Sequence, residues 1–120
     1  MMRNVVNKIL KIFIQVNHPN VIRTYDVVTQ PSKVIMLMDY AGKGDLLAHC
    51  RLVGAMKDGP ARVIFSQIVL GLEYLHDINI IHRDLKCENI LLCHDGRTII
   101  GLGFRNLNRL SRTKVPIRTK

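Results

Sequence analysis

The sequence predicts an α+β fold. Three observations carry that expectation. Two segments, residues 3–16 and 58–76, place apolar side chains at helical spacing. Two runs, residues 21–28 and 33–38, read as strands separated by a turn at Gln30-Pro31-Ser32. Two shorter strands, residues 90–93 and 98–100, are joined by His94-Asp95-Gly96, a hairpin-type turn. The chain has 120 residues, of which 48% are hydrophobic and 22% charged. That excludes wholesale disorder and allows one domain with a modest core.

The elements follow from local chemistry. Val6, Ile9, Leu10, Phe13 and Val16 give the first helix a broad apolar face. It stops at Asn17-His18-Pro19-Asn20, because proline disfavours helical geometry in the residue before it. Val34-Ile35-Met36-Leu37-Met38 has the length of a buried strand and is far short of the ~18 residues of a membrane helix. Ala41-Gly42-Lys43-Gly44 breaks the pattern, and Asp45 is placed to cap a short helix over residues 45–51. Asp58-Gly59-Pro60 opens the long helix, with Val63, Ile64, Gln67, Ile68, Leu72 and Leu75 as its core stripe.

The net charge is +9. Seven basic residues and no acidic one lie between Arg97 and Lys120, and residues 105 onward read as a basic loop or tail. No aromatic residue follows Phe104, which disfavours recognition of nucleic acid by stacking on bases. Cys50, Cys87 and Cys93 make no Cys-x-x-Cys pair, and no secretory leader is legible, so a reducing, cytoplasmic setting is expected. The five histidines show no zinc spacing, which argues against a metalloenzyme.

One constellation carries chemistry. His82-Arg83-Asp84-Leu85-Lys86-Cys87-Glu88-Asn89 fits H-R-D-L-x-x-x-N, between the long helix and the hairpin. Here the sequence resembles the eukaryotic protein kinases, in which this is the catalytic loop. Lys86 points to the Ser/Thr branch, and the wording with Lys43-Gly44-Asp45-Leu46-Leu47 upstream is most similar to the testis-specific serine/threonine kinases. The resemblance covers residues 3–104. It implies a truncated bilobal kinase-like fold: a small-lobe portion with two strands at 1–38, a hinge at 39–44, the first half of the large lobe at 45–104, and an activation-loop remnant at 105–120.

The resemblance also implies roles. Asp84 would accept the proton of an attacking Ser or Thr hydroxyl, Lys86 would face the transferring phosphoryl group, Asn89 would ligate Mg²⁺, and Arg83 would hold a phosphorylated activation loop. Met38 would be the gatekeeper, the backbones of Asp39 and Ala41 would meet the adenine edge of ATP, Asp45 would touch the ribose, and Leu91 would form the adenine floor. Plainer readings stand beside these: Met38 and Leu91 as core, Asp45 as a helix cap, Cys87 as a bystander.

The sequence departs from the family pattern. Nothing within it matches the Gly-rich loop, the Lys-bearing strand or Ala-Pro-Glu. Ile9 stands where the helix Glu is expected, and Gly101-Leu102-Gly103 replaces Asp-Phe-Gly, removing the chief Mg²⁺ carboxylate. Positioning and electrostatic stabilisation dominate phosphoryl transfer, and a general base alone supplies only about 10²–10⁴-fold. The expectation is therefore a kinase-like domain impaired in transfer from ATP to protein Ser/Thr. The alternatives are a pseudokinase-like module that binds a partner protein, such as a full-length kinase, and a decayed copy without a stable fold.

Overall fold

A computed structural model describes residues 10–102 and the backbone of residues 117–119. Helix α1 runs through residues 10–15; the earlier part of the expected helix, with Ile9, lies outside the described residues. Leu10, Phe13 and Val16 bury one face of it. Val16 N–H closes onto the Phe13 carbonyl at 3.3 Å before the turn at Pro19.

Strands β1 (Thr24–Thr29) and β2 (Val34–Met38) form an antiparallel hairpin. Thr24 faces Met38 while Asp26 faces Leu37, so Tyr25 is the extra residue of a β-bulge. β2 alternates in burial, with Val34, Met36 and Met38 inside. Thr24 is 1% exposed, and its hydroxyl has no hydrogen-bond partner among the described residues.

Two expectations are corrected at the far edge of β2. Residues 117–119 belong to the segment read as loop or tail, yet they form strand β5 (Ile117–Thr119), parallel to β2. The small sheet therefore has three strands in the order β1-β2-β5, not two. The physical reason is the unpaired backbone of β2: an extended segment of almost any composition gains hydrogen bonds there, and three such residues leave no apolar periodicity to read.

Helix α2 (Leu46–Val53) is capped by Asp45, whose carboxylate accepts Ala48 N–H at 2.8 Å, and it ends at Gly54 with φ 82°. Helix α3 (Asp58–Asp77) has 20 residues, about 30 Å of helix. Its end is a Schellman motif: Ile80 N–H bonds to the Leu75 carbonyl at 2.8 Å, Asn79 N–H to the His76 carbonyl at 3.0 Å, and Asn79 takes φ 64°. Of its expected core stripe, Leu75 is fully buried, but Val63 is 58% exposed. A 3₁₀ turn at Cys87–Asn89 leads into β3 (Ile90–Leu92), which pairs antiparallel with β4 (Thr98–Ile100). In the β3–β4 turn the hydrogen bonds from Arg97 hold the Asp95 carboxyl below its usual range.

One buried junction joins the pieces. Asn20 Nδ2 donates to Gln67 Oε1 and to the Thr98 carbonyl, each at 3.0 Å, and Thr98 N–H donates to Gln67 Oε1 at 2.8 Å. Ile100 N–H donates to the Asn20 carbonyl at 2.8 Å, and Ile22 N–H to the Ile100 carbonyl at 2.9 Å. Gly71 lets α3 approach this junction: a β-carbon there would lie 2.8 Å from both the Asn20 carbonyl oxygen and Ile100 Cδ1. Around the junction lie two apolar clusters, one built on Phe13, Val16, Met36, Met38, Leu75 and Ile99, the other on Leu46, Ile90, Leu92 and Ile100. Among the described residues no helix is long and apolar enough to cross a membrane.

Two stability predictions follow from this packing. In an open helix, Gly→Ala gains about 1 kcal/mol. At Gly71 the backbone oxygen of Asn20 cannot move aside freely, so Gly71→Ala is expected to destabilise by about 1–3 kcal/mol in urea unfolding; an unchanged or raised midpoint would contradict it. Thr24→Val removes a buried, unsatisfied hydroxyl and is expected to raise stability by about 1–3 kcal/mol. A lowered midpoint in the same assay would show that the hydroxyl has a favourable partner.

Candidate active site

The hinge after β2 is held from both sides. Asp39 N–H donates to the Arg23 carbonyl at 3.0 Å. Gly44 N–H closes onto the Ala41 carbonyl at 3.2 Å, with Gly44 at φ 72°, a left-handed conformation that suits glycine. Lys43 N–H bonds to the Leu92 carbonyl at 3.0 Å and Leu92 N–H to the Gly44 carbonyl at 2.8 Å. Asp45 and Leu91 form an antiparallel bridge. The hinge thus runs alongside β3, and β3 starts one residue after Asn89. Short strand length keeps the two regions close, because each β residue advances only about 3.3 Å.

The loop at residues 82–89 is built on a buried histidine. His82 is 6% exposed. Its Nδ1 accepts Asp84 N–H at 3.1 Å, which places the ring proton on Nε2, and Nε2–H donates to the Gly101 carbonyl at 2.6 Å. Arg83 is exposed and takes φ 64°, a left-handed geometry uncommon for a residue with a side chain. That kink carries the chain from buried His82 to half-buried Asp84. Asn89 Nδ2 donates to the Asp84 carbonyl at 2.6 Å and reaches Asp84 Oδ2 at 3.3 Å. Gly101 N–H then donates to the Asn89 carbonyl at 2.7 Å. Asp84, Asn89 and Gly101 are therefore stapled into one unit by backbone and side-chain bonds.

Lys86 Nζ stands 3.8 Å from Asp84 Oδ1 and 3.7 Å from Glu88 Oε2. Its side chain is 44% exposed, so these pairs contribute little to stability. Their effect is placement: a cation is kept beside the Asp84 and Glu88 carboxylates.

Each sequence-derived site residue has a definite place. Asp84, Lys86 and Asn89 meet at the loop. Arg83 is on its solvent side. Asp39 and Ala41 lie in the hinge, and the Asp39 carbonyl and the Ala41 N–H are among the hinge backbone groups that the bonds described above do not use. Met38 is buried in the main cluster. Leu91 packs against that cluster, and a β-carbon on Gly101 would lie 3.7 Å from its Cδ1. Asp45 serves as the cap of α2. Cys87 is exposed. Ile9 and Gly103 lie outside the described residues.

The motif contained His82 without assigning it work, and the structure shows it joining the loop to Gly101. Asn20 and Gln67 carried no chemical motif; only their meeting across 47 positions reveals them.

Comparison with known proteins now has a geometry to refer to. Residues 2–113 match the family profile described as the protein kinase domain. The developmentally-regulated protein kinase 1 of Dictyostelium discoideum is 42% identical over 91 residues, 76% of this chain and 13% of its own length. Testis-specific serine/threonine-protein kinase 1 of Homo sapiens is 40% identical over 87 residues, 72% of this chain and 24% of its own. The chain thus spans a quarter or less of these curated relatives. A crystal structure of Rad53 1-466 in complex with AMP-PNP superposes with a TM-score of 0.78 at 31% identity, over 82% of this chain and 27% of that one. The residues around Asp84 and the α+β scaffold that holds them place this chain in the protein kinase domain family, on its serine/threonine branch.

Proposed function

We propose that this chain forms the hinge and catalytic-loop part of a serine/threonine kinase site, directed at protein Ser/Thr hydroxyls and weakened in phosphoryl transfer. The observation that carries the reading is the stapled unit of Asp84 and Asn89 beside Lys86, one short strand away from the hinge.

The adenine end of the site fits a nucleotide. Among its unused backbone groups the hinge offers the Asp39 carbonyl and the Ala41 N–H, and apolar Leu91 packs against the cluster that holds Met38. That set suits a flat base with an amino group next to a ring nitrogen, and the AMP-PNP held by Rad53 agrees with ATP as the ligand class. When bound, ATP supplies the phosphoryl group and Mg²⁺ the charge neutralisation that transfer needs.

The metal end does not fit. Mg²⁺ is held by one or two carboxylates together with nucleotide phosphates. Gly101 has no side chain, and Asn89 spends its Nδ2 on Asp84, leaving one neutral amide oxygen. The Asp84 carboxylate is paired with Lys86. Among the described residues no group of three or more His, Cys, Asp or Glu could hold a metal ion. The chain's own residues therefore do two things: Asp84 orients a hydroxyl and accepts its proton, and Lys86 supplies positive charge beside it.

A second reading, a protein-interaction module of kinase shape, is favoured by bare apolar surface. Leu52 is 85% exposed and Phe65 67% exposed, and a groove of about 520 Å³ lined by Leu46, Met56, Ile64 and Ile68 runs between α2 and α3.

The decisive experiment restores the missing ligand. A β-carbon at position 101 would sit 3.3 Å from the Asn89 carbonyl oxygen, a contact that requires a shift of a few tenths of an ångström. Gly101→Asp is expected to strengthen Mg²⁺-dependent ATP binding by about tenfold, the equivalent of 1.4 kcal/mol, in calorimetry on the full chain. Any transfer to a Ser/Thr peptide gained by that variant should fall by about 10²–10⁴-fold on adding Asp84→Ala. Absence of ATP binding by both the natural chain and Gly101→Asp would defeat the nucleotide-site reading in favour of the interaction module.

A further inference from the structure

The bulge in β1 lies beside the hinge and has no role in the reading above. Because Tyr25 is the extra residue there, its ring is turned out of the regular alternation. Its hydroxyl donates to Asp39 Oδ1, and the Arg23 guanidinium lies 5.8 Å from the ring centroid. Asp39 is thus anchored twice: its N–H to the carbonyl of Arg23, its carboxylate to the hydroxyl of Tyr25. Two anchors on one residue, on the amide and on the side chain, fix the direction in which its own carbonyl leaves. The next residue, Tyr40, is 64% exposed and cannot supply that constraint by burial.

We propose that Tyr25 is a positioning residue of the hinge, clamping Asp39 so that its carbonyl and the following N–H of Ala41 keep one orientation for an adenine edge. This rests on the nucleotide-site reading for its purpose, though not for its mechanics. The bulge places Tyr25 next to the Thr24–Met38 pair, one residue from Asp39, whose carboxylate its hydroxyl reaches. The same hydrogen bond, with the charge of the Asp39 carboxylate, pushes the Tyr25 phenol above its ordinary range, so the donor keeps its proton throughout the neutral range. Arg23 and Arg97 act in the opposite sense and are outweighed.

The test uses the full chain. Tyr25→Phe keeps the ring over which Arg23 lies and removes the hydroxyl; Asp39→Ala removes the carboxylate that accepts from it. Amide hydrogen exchange is read at residues 40–44 without nucleotide, together with the urea midpoint. Adenosine and inosine affinities are read separately. Tyr25→Phe is expected to speed exchange at the hinge amides about three- to tenfold while the urea midpoint stays put, and to cut the preference for adenosine over inosine by a similar factor. The double variant should be no worse than either single one. Hinge exchange unchanged in Tyr25→Phe, or effects of the two substitutions that multiply, would overturn the proposal. A hinge that loosens as expected in a protein that binds neither nucleoside would uphold the clamp and sink the nucleotide reading instead.

Discussion

The structure turns on the buried hydrogen bonds between Asn20, Gln67 and Thr98. They tie the turn after α1, the middle of α3 and the start of β4 at a single point. A buried amide pair of this kind is costly to leave half-satisfied, since each orphaned donor or acceptor costs about 1–3 kcal/mol. Here Gln67 Oε1 accepts twice and Asn20 Nδ2 donates twice, so the junction meets its own demand. Because Ile100 and Ile22 continue the bonding on either side, the strand that ends at Ile100 is held against the small-sheet portion by backbone as well as side chains.

That anchorage reaches the chemistry. β4 runs from Thr98 at the junction to Ile100, and the next residue, Gly101, accepts from His82 and donates to Asn89. The junction at Asn20 is therefore linked to the loop at residues 82–89 through one three-residue strand. Gly101 keeps this backbone frame in order while bringing no side chain to it.

The β2 edge shows a different kind of economy. Alternation of Val34, Met36 and Met38 fixes which face of the sheet is buried, but nothing in β2 itself specifies its second neighbour. Backbone hydrogen bonds carry no sequence preference, so the three residues Ile117–Thr119 satisfy the edge despite lying in a basic, weakly periodic segment. The bulge at Tyr25 is similarly invisible to alternation, since it depends on which residues of β2 oppose it.

Local sequence determined the long helix and its ends, the cap at Asp45, the two hairpins and the eight-residue catalytic motif, because periodicity, capping chemistry and motif spacing act within a turn or two of chain. It also showed glycine at position 101, where the kinase resemblance implies an aspartate. Tertiary structure alone decided that Val63 faces out while Gln67 turns in to meet Asn20, that Gly71 is required by a close approach, that His82 reaches Gly101, and that residues 117–119 pair with β2. Each of those depends on partners brought from 19 to 81 positions away by the folded chain, and no local pattern of side chains encodes a distance of that kind.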